Sequence, residues 1–256
     1  MQAELILLIT IMIVVFMYGI VIGSFLNVLI YRIPLKENIA TQRSHCMSCG
    51  YQLKWYDLVP LVSYIMLRGR CRKCKKKISI QYPLVELANG LGYVLIVSGT
   101  GLNLLSILFC LCFSILIVIS VIDIRTYEIP FSLNVAIGIL GFIRCIIDYD
   151  NLLNYIIGFF AVSVPLLLLA ILTKGRGMGG GDIKLMAAAG LLLGWKNIIL
   201  ALALGSIVGS IIHIALMRIK KSKERVLAFG PYLSIGIFIA MLYGDQLISW
   251  YLNFFV

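Results

Sequence analysis

The stretch Ser114-Ile-Leu-Ile-Val-Ile-Ser-Val-Ile-Asp123-Ile-Arg-Thr-Tyr-Glu-Ile-Pro130 decides how the rest of the chain is read. An uncharged apolar run ends on a carboxylate and an arginine. Extended back to Asn103, the run has the length of about 20 residues that a helix needs to cross the hydrocarbon core of a bilayer. Comparable runs lie near 5–25, 83–98, 103–122, 129–147, 151–172, 183–194, 197–217 and 229–243. The predicted fold is an all-α integral membrane protein of about eight transmembrane helices. The second and sixth runs are short, so tilted, broken or re-entrant passage stays open for them.

Composition excludes a soluble reading. Of 256 residues 61% are hydrophobic and only 13% are charged, with a mean hydropathy of +1.03. A soluble domain carries about twice that charge fraction. The first run opens Met1-Gln-Ala-Glu4, without a basic start or an Ala-x-Ala-like cleavage site, and reads as a retained span.

Charge sets the orientation. With the N-terminus outside and eight crossings, twenty of the 22 basic residues fall on the cytoplasmic side. Eleven are in 31–81. The rest are Arg125, Lys174, Arg176, Lys184, Arg218, Lys220, Lys221, Lys223 and Arg225. Arg144 and Lys196 remain outside, and both termini are expected there. The net charge of +11 is then topology plus attraction to anionic lipids, and no nucleic-acid partner is expected.

Residues 31–81 form the sizeable non-membrane piece. Cys46-Met-Ser-Cys49 and Cys71-Arg-Lys-Cys74 are two Cys-x-x-Cys pairs separated by 21 residues, a spacing suited to a four-cysteine zinc site. Four thiolates leave no open position for water, which points to a structural ion. A loop this small buries little core, so metal binding contributes to its folding. Disulfides do not suit the reducing side of the membrane. Cys110, Cys112 and Cys145 lie in apolar runs and read as small buried residues.

Asp123 and Asp182 stand apart from the other acids. Asp182 ends Gly179-Gly-Gly-Asp182 and precedes Ile183-Lys184. Both sit at the cytoplasmic edge in the topology above. Ionisable groups at this depth are functional, paired or close to the surface. Two facing carboxylates that share a proton can perform aspartyl hydrolysis, one activating water and the other protonating the carbonyl oxygen. Ordinary capping, or pairing with Arg125 and Lys184, is the structural alternative. Gly177, Gly179, Gly180 and Gly181 are expected to let the backbone bend and a substrate strand approach. Asp182 at a helix start is expected to be the readier anion, and Asp123 at a helix end the holder of the shared proton.

Several phrases, in order, resemble the bifunctional prepilin peptidases, or type IV leader peptidases. They are Gly23-Ser-Phe-Leu-Asn27-Val-Leu-Ile-Tyr31-Arg-Ile-Pro34, the two cysteine pairs with Pro60-Leu-Val-Ser63 between them, and Tyr82-Pro-Leu-Val-Glu86. The Asp123…Ile129-Pro130 phrase, Gly179-Gly-Gly181-Asp182-Ile-Lys184 and Phe229-Gly-Pro-Tyr-Leu233 follow. The likeness covers almost the whole chain. Met47 departs from the family's usual proline without touching a thiolate.

The resemblance implies Asp123 and Asp182 as catalytic residues, with Gly179, Gly181 and Lys184 in support. It implies cleavage of prepilins or pseudopilins, which carry a basic leader and a hydrophobic helix, after a glycine at the cytoplasmic membrane face of a prokaryotic inner membrane. It also implies N-methylation of the new amine with S-adenosylmethionine as donor. The N-terminal half, including the cysteine loop and Glu86, is implicated in that second step. The expected organisation is a first span in 1–30, a four-cysteine region in 31–81, and a helical bundle with the peptidase site in 82–256. Two rival readings are a transporter that uses the aspartates as ion carriers and a non-catalytic assembly factor. The edge position of the aspartates and the lack of evident inverted repeats count against transport.

Overall fold

A computed structural model describes residues 2–39, 43–175, 178–220 and 228–254, with backbone only at 219 and 220. Arg176, Gly177, Lys221, Lys223 and Arg225 lie outside the described residues, as does the side chain of Lys220. Helix dominates, and the described residues hold no strand beyond two isolated bridges. The chain divides into two compact units, Met1–Ser106 and Ile107–Val256.

The first unit is a helix pair with the cysteine loop between its members. Helix α1 (Gln2–Leu35) has 34 residues. At 1.5 Å per residue it is about 50 Å long, well beyond the bilayer core of about 30 Å. It packs on α3 (Gln81–Thr100), while the short α2 (Val62–Met66) lies in the loop. Gly19 and Gly23 of α1 face the backbone of α3 at Gly90 and Glu86. The fully buried Asn89 donates its Nδ2 to the Gly19 carbonyl at 2.7 Å. Lipid tails are as apolar as leucine, so small residues and buried polar bonds are what hold such a pair together.

The second unit comprises α4 (Leu104–Thr126), α5 (Phe131–Ile147), α6 (Leu152–Ala161), α7 (Ser163–Leu172), α8 (Gly180–Leu193), α9 (Trp195–Lys220) and α10 (Gly230–Asn253). Its centre is α8, packed against α5, α6, α7, α9 and α10. Leu185, Met186, Ala187, Ala188, Ala189, Leu192 and Leu193 are all buried. A helix apolar all round belongs in a core.

Each of the eight apolar runs is centred on helix. Among the described residues five segments are long and apolar enough to cross a membrane: Gln2–Leu35, Leu104–Thr126, Tyr149–Leu172, Trp195–Arg218 and Gly230–Asn253. Helices α3, α5 and α8 fall short of that standard. At 14 residues α8 is about 21 Å long, and its neighbours screen it, so it has no need to reach both faces. The fifth run is two helices, α6 and α7, meeting at Val162.

Candidate active site and metal centre

The two cysteine pairs are local copies of one hairpin. Cys46 N–H donates to Tyr51 O and Gly50 N–H to Cys46 O, each at 2.9 Å. Cys71 N–H donates to Lys76 O at 2.9 Å and Lys75 N–H to Cys71 O at 3.0 Å, the same offsets again. The bridges His45–Gln52 and Arg70–Lys77 close the hairpins at matching positions. The residue after the second cysteine adopts the left-handed conformation in both, Gly50 at φ 67° and Lys75 at φ 60°. Glycine takes that conformation freely, and lysine does so at a cost.

The hairpins bring Cys46, Cys49, Cys71 and Cys74 into one cluster whose ligand atoms all lie within 4.8 Å of one another. Cys46 Sγ is 3.9 Å from Cys74 Sγ, and Cys49 Sγ is 4.0 Å from Cys71 Sγ. Four thiolates about 2.3 Å from one tetrahedral ion stand about 3.8 Å apart, so the cluster fits a metal ion of that kind. Arg72, inside the second pair, donates Nε to Asp57 Oδ1 at 2.7 Å, and Tyr51 after the first pair reaches Asp57 Oδ2 at 3.4 Å. The buried Asp57 thus ties the hairpins together. His45 is exposed, with its ring against the Arg43 carbonyl at 3.3 Å, outside the four-sulfur set. Cys110, Cys112 and Cys145 are buried, as expected.

The aspartates come from distant stretches of the second unit. Asp123 lies one turn before the end of α4, which stops where Tyr127 takes φ 56° and Pro130 caps α5. Asp182 lies in the first turn of α8. Both are buried, at 5% and 9% exposure. Asp182 feels the charge of Asp123, and the Gly179 amide donates to Asp182. The Gly230 N–H, first residue of α10, donates to Asp123 Oδ2 at 2.8 Å. Asp123 therefore also faces a helix N-terminus. The helix-dipole argument that separated the two carboxylates in the sequence applies to both and does not rank them.

The site's glycines act through space more than through bending. Gly179 has an ordinary extended backbone, φ −70° and ψ 137°, but a Cβ there would meet Asp182 Oδ2 at 2.9 Å. A Cβ on Gly181 would meet Ile129 Cβ at 2.9 Å, and one on Gly230 would meet Asp123 Oδ2 at 2.8 Å. Gly180 faces open space. Lys184 is exposed and holds its Nζ 5.0 Å from the centre of the Phe131 ring, and among the described residues no ion pair joins it to Asp182.

Two participants escaped the sequence reading. Asn134, buried in α5, donates Nδ2 to the Gly181 carbonyl at 3.3 Å and so pins the start of α8. A lone asparagine in an apolar run was the available signal. Gly230 was visible as part of a phrase, but its partner Asp123 is 107 residues away.

A metal-fitting cysteine module between membrane helices in one unit, and a buried carboxylate pair in a helical bundle in the other, define a multi-pass membrane protein with two distinct sites. The Bacterial Peptidase A24 N-terminal domain matches residues 17–99, and the Type IV leader peptidase family matches residues 110–214. A protein of Stutzerimonas stutzeri named prepilin leader peptidase/N-methyltransferase is 33% identical, over 92% of each chain. Proteins of the same name from Pseudomonas aeruginosa and Bacillus subtilis are 32% and 31% identical, over 92% and 94% of this chain and 91% and 97% of theirs. The chain belongs to the type IV leader peptidase family. No solved structure matches it.

Proposed function

We propose that this protein removes the leader of type IV prepilins or pseudopilins by aspartyl hydrolysis and methylates the amine so exposed. The observation that carries the first half is the pair of buried carboxylates, Asp123 and Asp182, each held by a backbone amide at the start of a helix. The names of the relatives carry the second half.

In the proposed reaction a water sits between the two carboxylates. The ionised one takes its proton as the oxygen attacks the carbonyl carbon of the glycine before the cut. The protonated one gives its proton to the carbonyl oxygen, producing a tetrahedral intermediate with no covalent enzyme adduct. Collapse breaks the C–N bond and the amine leaves with a proton. One proton shared by the pair avoids two like charges at close range. Gly179 and Gly230 keep side chains out of the space beside the carboxylates, and Gly181 makes room for Ile129. Lys184, turned to Phe131, is a surface cation for head groups or substrate carbonyls.

Zinc on Cys46, Cys49, Cys71 and Cys74 has a structural role, since four thiolates leave no site for a reactive water. S-adenosylmethionine supplies the methyl group. The distribution of basic residues supports a topology with the cysteine loop, Asp123 and Asp182 at the cytoplasmic face of a prokaryotic inner membrane, both termini outside, eight passages and anionic lipids around the loop. The 31–81 region is the metal module, and 82–256 carries the peptidase.

The test is processing of a model prepilin in membranes, read by mass spectrometry with S-adenosylmethionine present. The unsubstituted protein is expected to yield a product lacking the leader and bearing an added methyl mass. Asp123→Asn and Asp182→Asn are each expected to lower leader removal by about 10³-fold or more. Full processing by both inserted variants would reject the peptidase assignment and return the aspartates to structural roles.

A further inference from the structure

The cysteine loop carries apolar side chains that neither its metal cluster nor its small core uses. In α2, Val62, Ile65 and Met66 recur at the spacing of one helix face, and all three are exposed, Ile65 and Met66 at 72% and 78%. The other side of α2 is fastened down. The Tyr64 hydroxyl donates to the Ile78 carbonyl at 3.5 Å, and Gly69 leaves room for the Tyr64 ring. A single tight helical turn, Trp55–Asp57, packs against α2. Its buried Asp57 accepts from Arg72, while Trp55 stands 79% exposed, its ring 5.6 Å from that of Tyr56 and at 74° to it. The Arg72 guanidinium lies 4.9 Å from the centre of the Tyr56 ring. The turn is therefore fixed from within and presents an indole outward. Contiguous apolar surface of this kind marks a contact with a membrane or another molecule.

What meets the patch follows from where the loop is tied. Both of its ends run into membrane helices, α1 ending at Leu35 and α3 beginning at Gln81, and Leu35 and Ile80 are exposed there. The start of α2 is bound to α3, because the Leu61 N–H donates to Glu86 Oε2 at 2.8 Å. Glu86 lies five residues into α3, about 7.5 Å along the helix axis from Gln81 and already inside the apolar run 83–98. Val62 follows Leu61 directly, so α2 begins near the level at which the apolar run of α3 begins.

The rim of the patch is basic. Exposed Lys54, Arg68 and Arg70 flank the turn and α2 in sequence. Residues 31–81 hold eleven Lys and Arg against two acids, Glu37 and Asp57, the second already bonded to Arg72. An apolar centre with a basic rim matches acyl chains beneath anionic phosphates, and indole favours the head-group level. The same charge repels a basic leader and a second copy of the loop.

We propose that Trp55, Val62, Ile65 and Met66 insert into the head-group layer of the leaflet from which α1 and α3 emerge, with Lys54, Arg68 and Arg70 on its anionic phosphates. The charged part of this inference rests on the anionic lipids proposed above, and the apolar part does not. The bilayer surface is then a third support of the cysteine module, beside its metal and α3.

The test uses the full chain with its metal, carrying Trp195→Phe and Trp250→Phe so that Trp55 is the single indole. It is reconstituted in vesicles of phosphatidylglycerol and phosphatidylcholine. Lipids brominated near the head-group end of the acyl chain are expected to quench Trp55 fluorescence about twofold more than lipids brominated near the chain end. Ile65→Glu together with Met66→Glu is expected to lower that quenching about threefold and to raise quenching by acrylamide in the water. Ile65→Leu together with Met66→Leu is expected to keep the unsubstituted values. Absence of bromine quenching, or quenching unchanged in the Glu variant, would overturn the proposal. Shielding from acrylamide that appears only when a model prepilin is added would also overturn it and make the patch a substrate contact. If the Glu variant fails to fold, as judged by metal content and thermal unfolding, the depth dependence with the stripe intact still decides. In vesicles of phosphatidylcholine alone, bromine quenching is expected to fall about twofold. Quenching kept in full there would uphold the insertion and reject only the anionic-lipid reading.

Discussion

The cysteine loop and the aspartate site are built on opposite plans. The loop repeats one short hairpin twice, and every bond that shapes a hairpin joins residues within a few positions of each other. The aspartate site has no local template. It takes one carboxylate from the end of α4, another from the start of α8 and an amide from the start of α10. Local hairpins can form early but bury little, so a metal must hold them. Buried carboxylates need a packed bundle to fix three helix ends at once, and no ion is required for that.

Removing the metal gives the sharpest test of this contrast. A strong chelator is expected to abolish amide protection across residues 43–79 in hydrogen exchange, because metal binding supplies the loop's folding free energy. The amides of α5, α8 and α10 are expected to keep theirs. Loss of protection in both units together would show that the aspartate bundle also depends on the ion.

A smaller effect is expected from one methyl group at the aspartate site. Gly230→Ala puts a Cβ 2.8 Å from Asp123 Oδ2 and must displace the carboxylate or the start of α10. A misplacement on that scale is expected to lower leader removal by roughly 10- to 100-fold. Gly180→Ala, which faces open space in the same region, is expected to stay within about twofold. Equal behaviour of the two would mean that space beside Asp123 is not what the glycine provides.

The smallest effect separates the two hairpins. Lys75→Gly removes a left-handed lysine, at a gain of at most about 1 kcal/mol, reduced by the freer unfolded chain. Gly50→Ala imposes the strain at the matching position and is expected to cost about 1 kcal/mol. Competition for metal with a calibrated chelator should show affinity moving up to about fivefold in opposite directions. Changes of the same sign would break the equivalence of the hairpins.

By itself the sequence determined what depends on short spacing and on solvent. Runs of apolar residues showed the helices, because the bilayer accepts little else. The Cys-x-x-Cys pairs showed the metal cluster, because each ligand pair lies within a single turn of chain. Asp123 and Asp182 stood out as charges that an apolar segment tolerates only for a reason. Tertiary structure alone decided that Gly230 donates to Asp123 across 107 residues, that Asn134 pins α8, and that α8 is a short central helix walled in by its neighbours. It also decided that Leu61 bends to meet Glu86 over a cavity. Contacts between distant segments depend on how helices pack, and packing leaves no periodicity in the chain for a reader to follow.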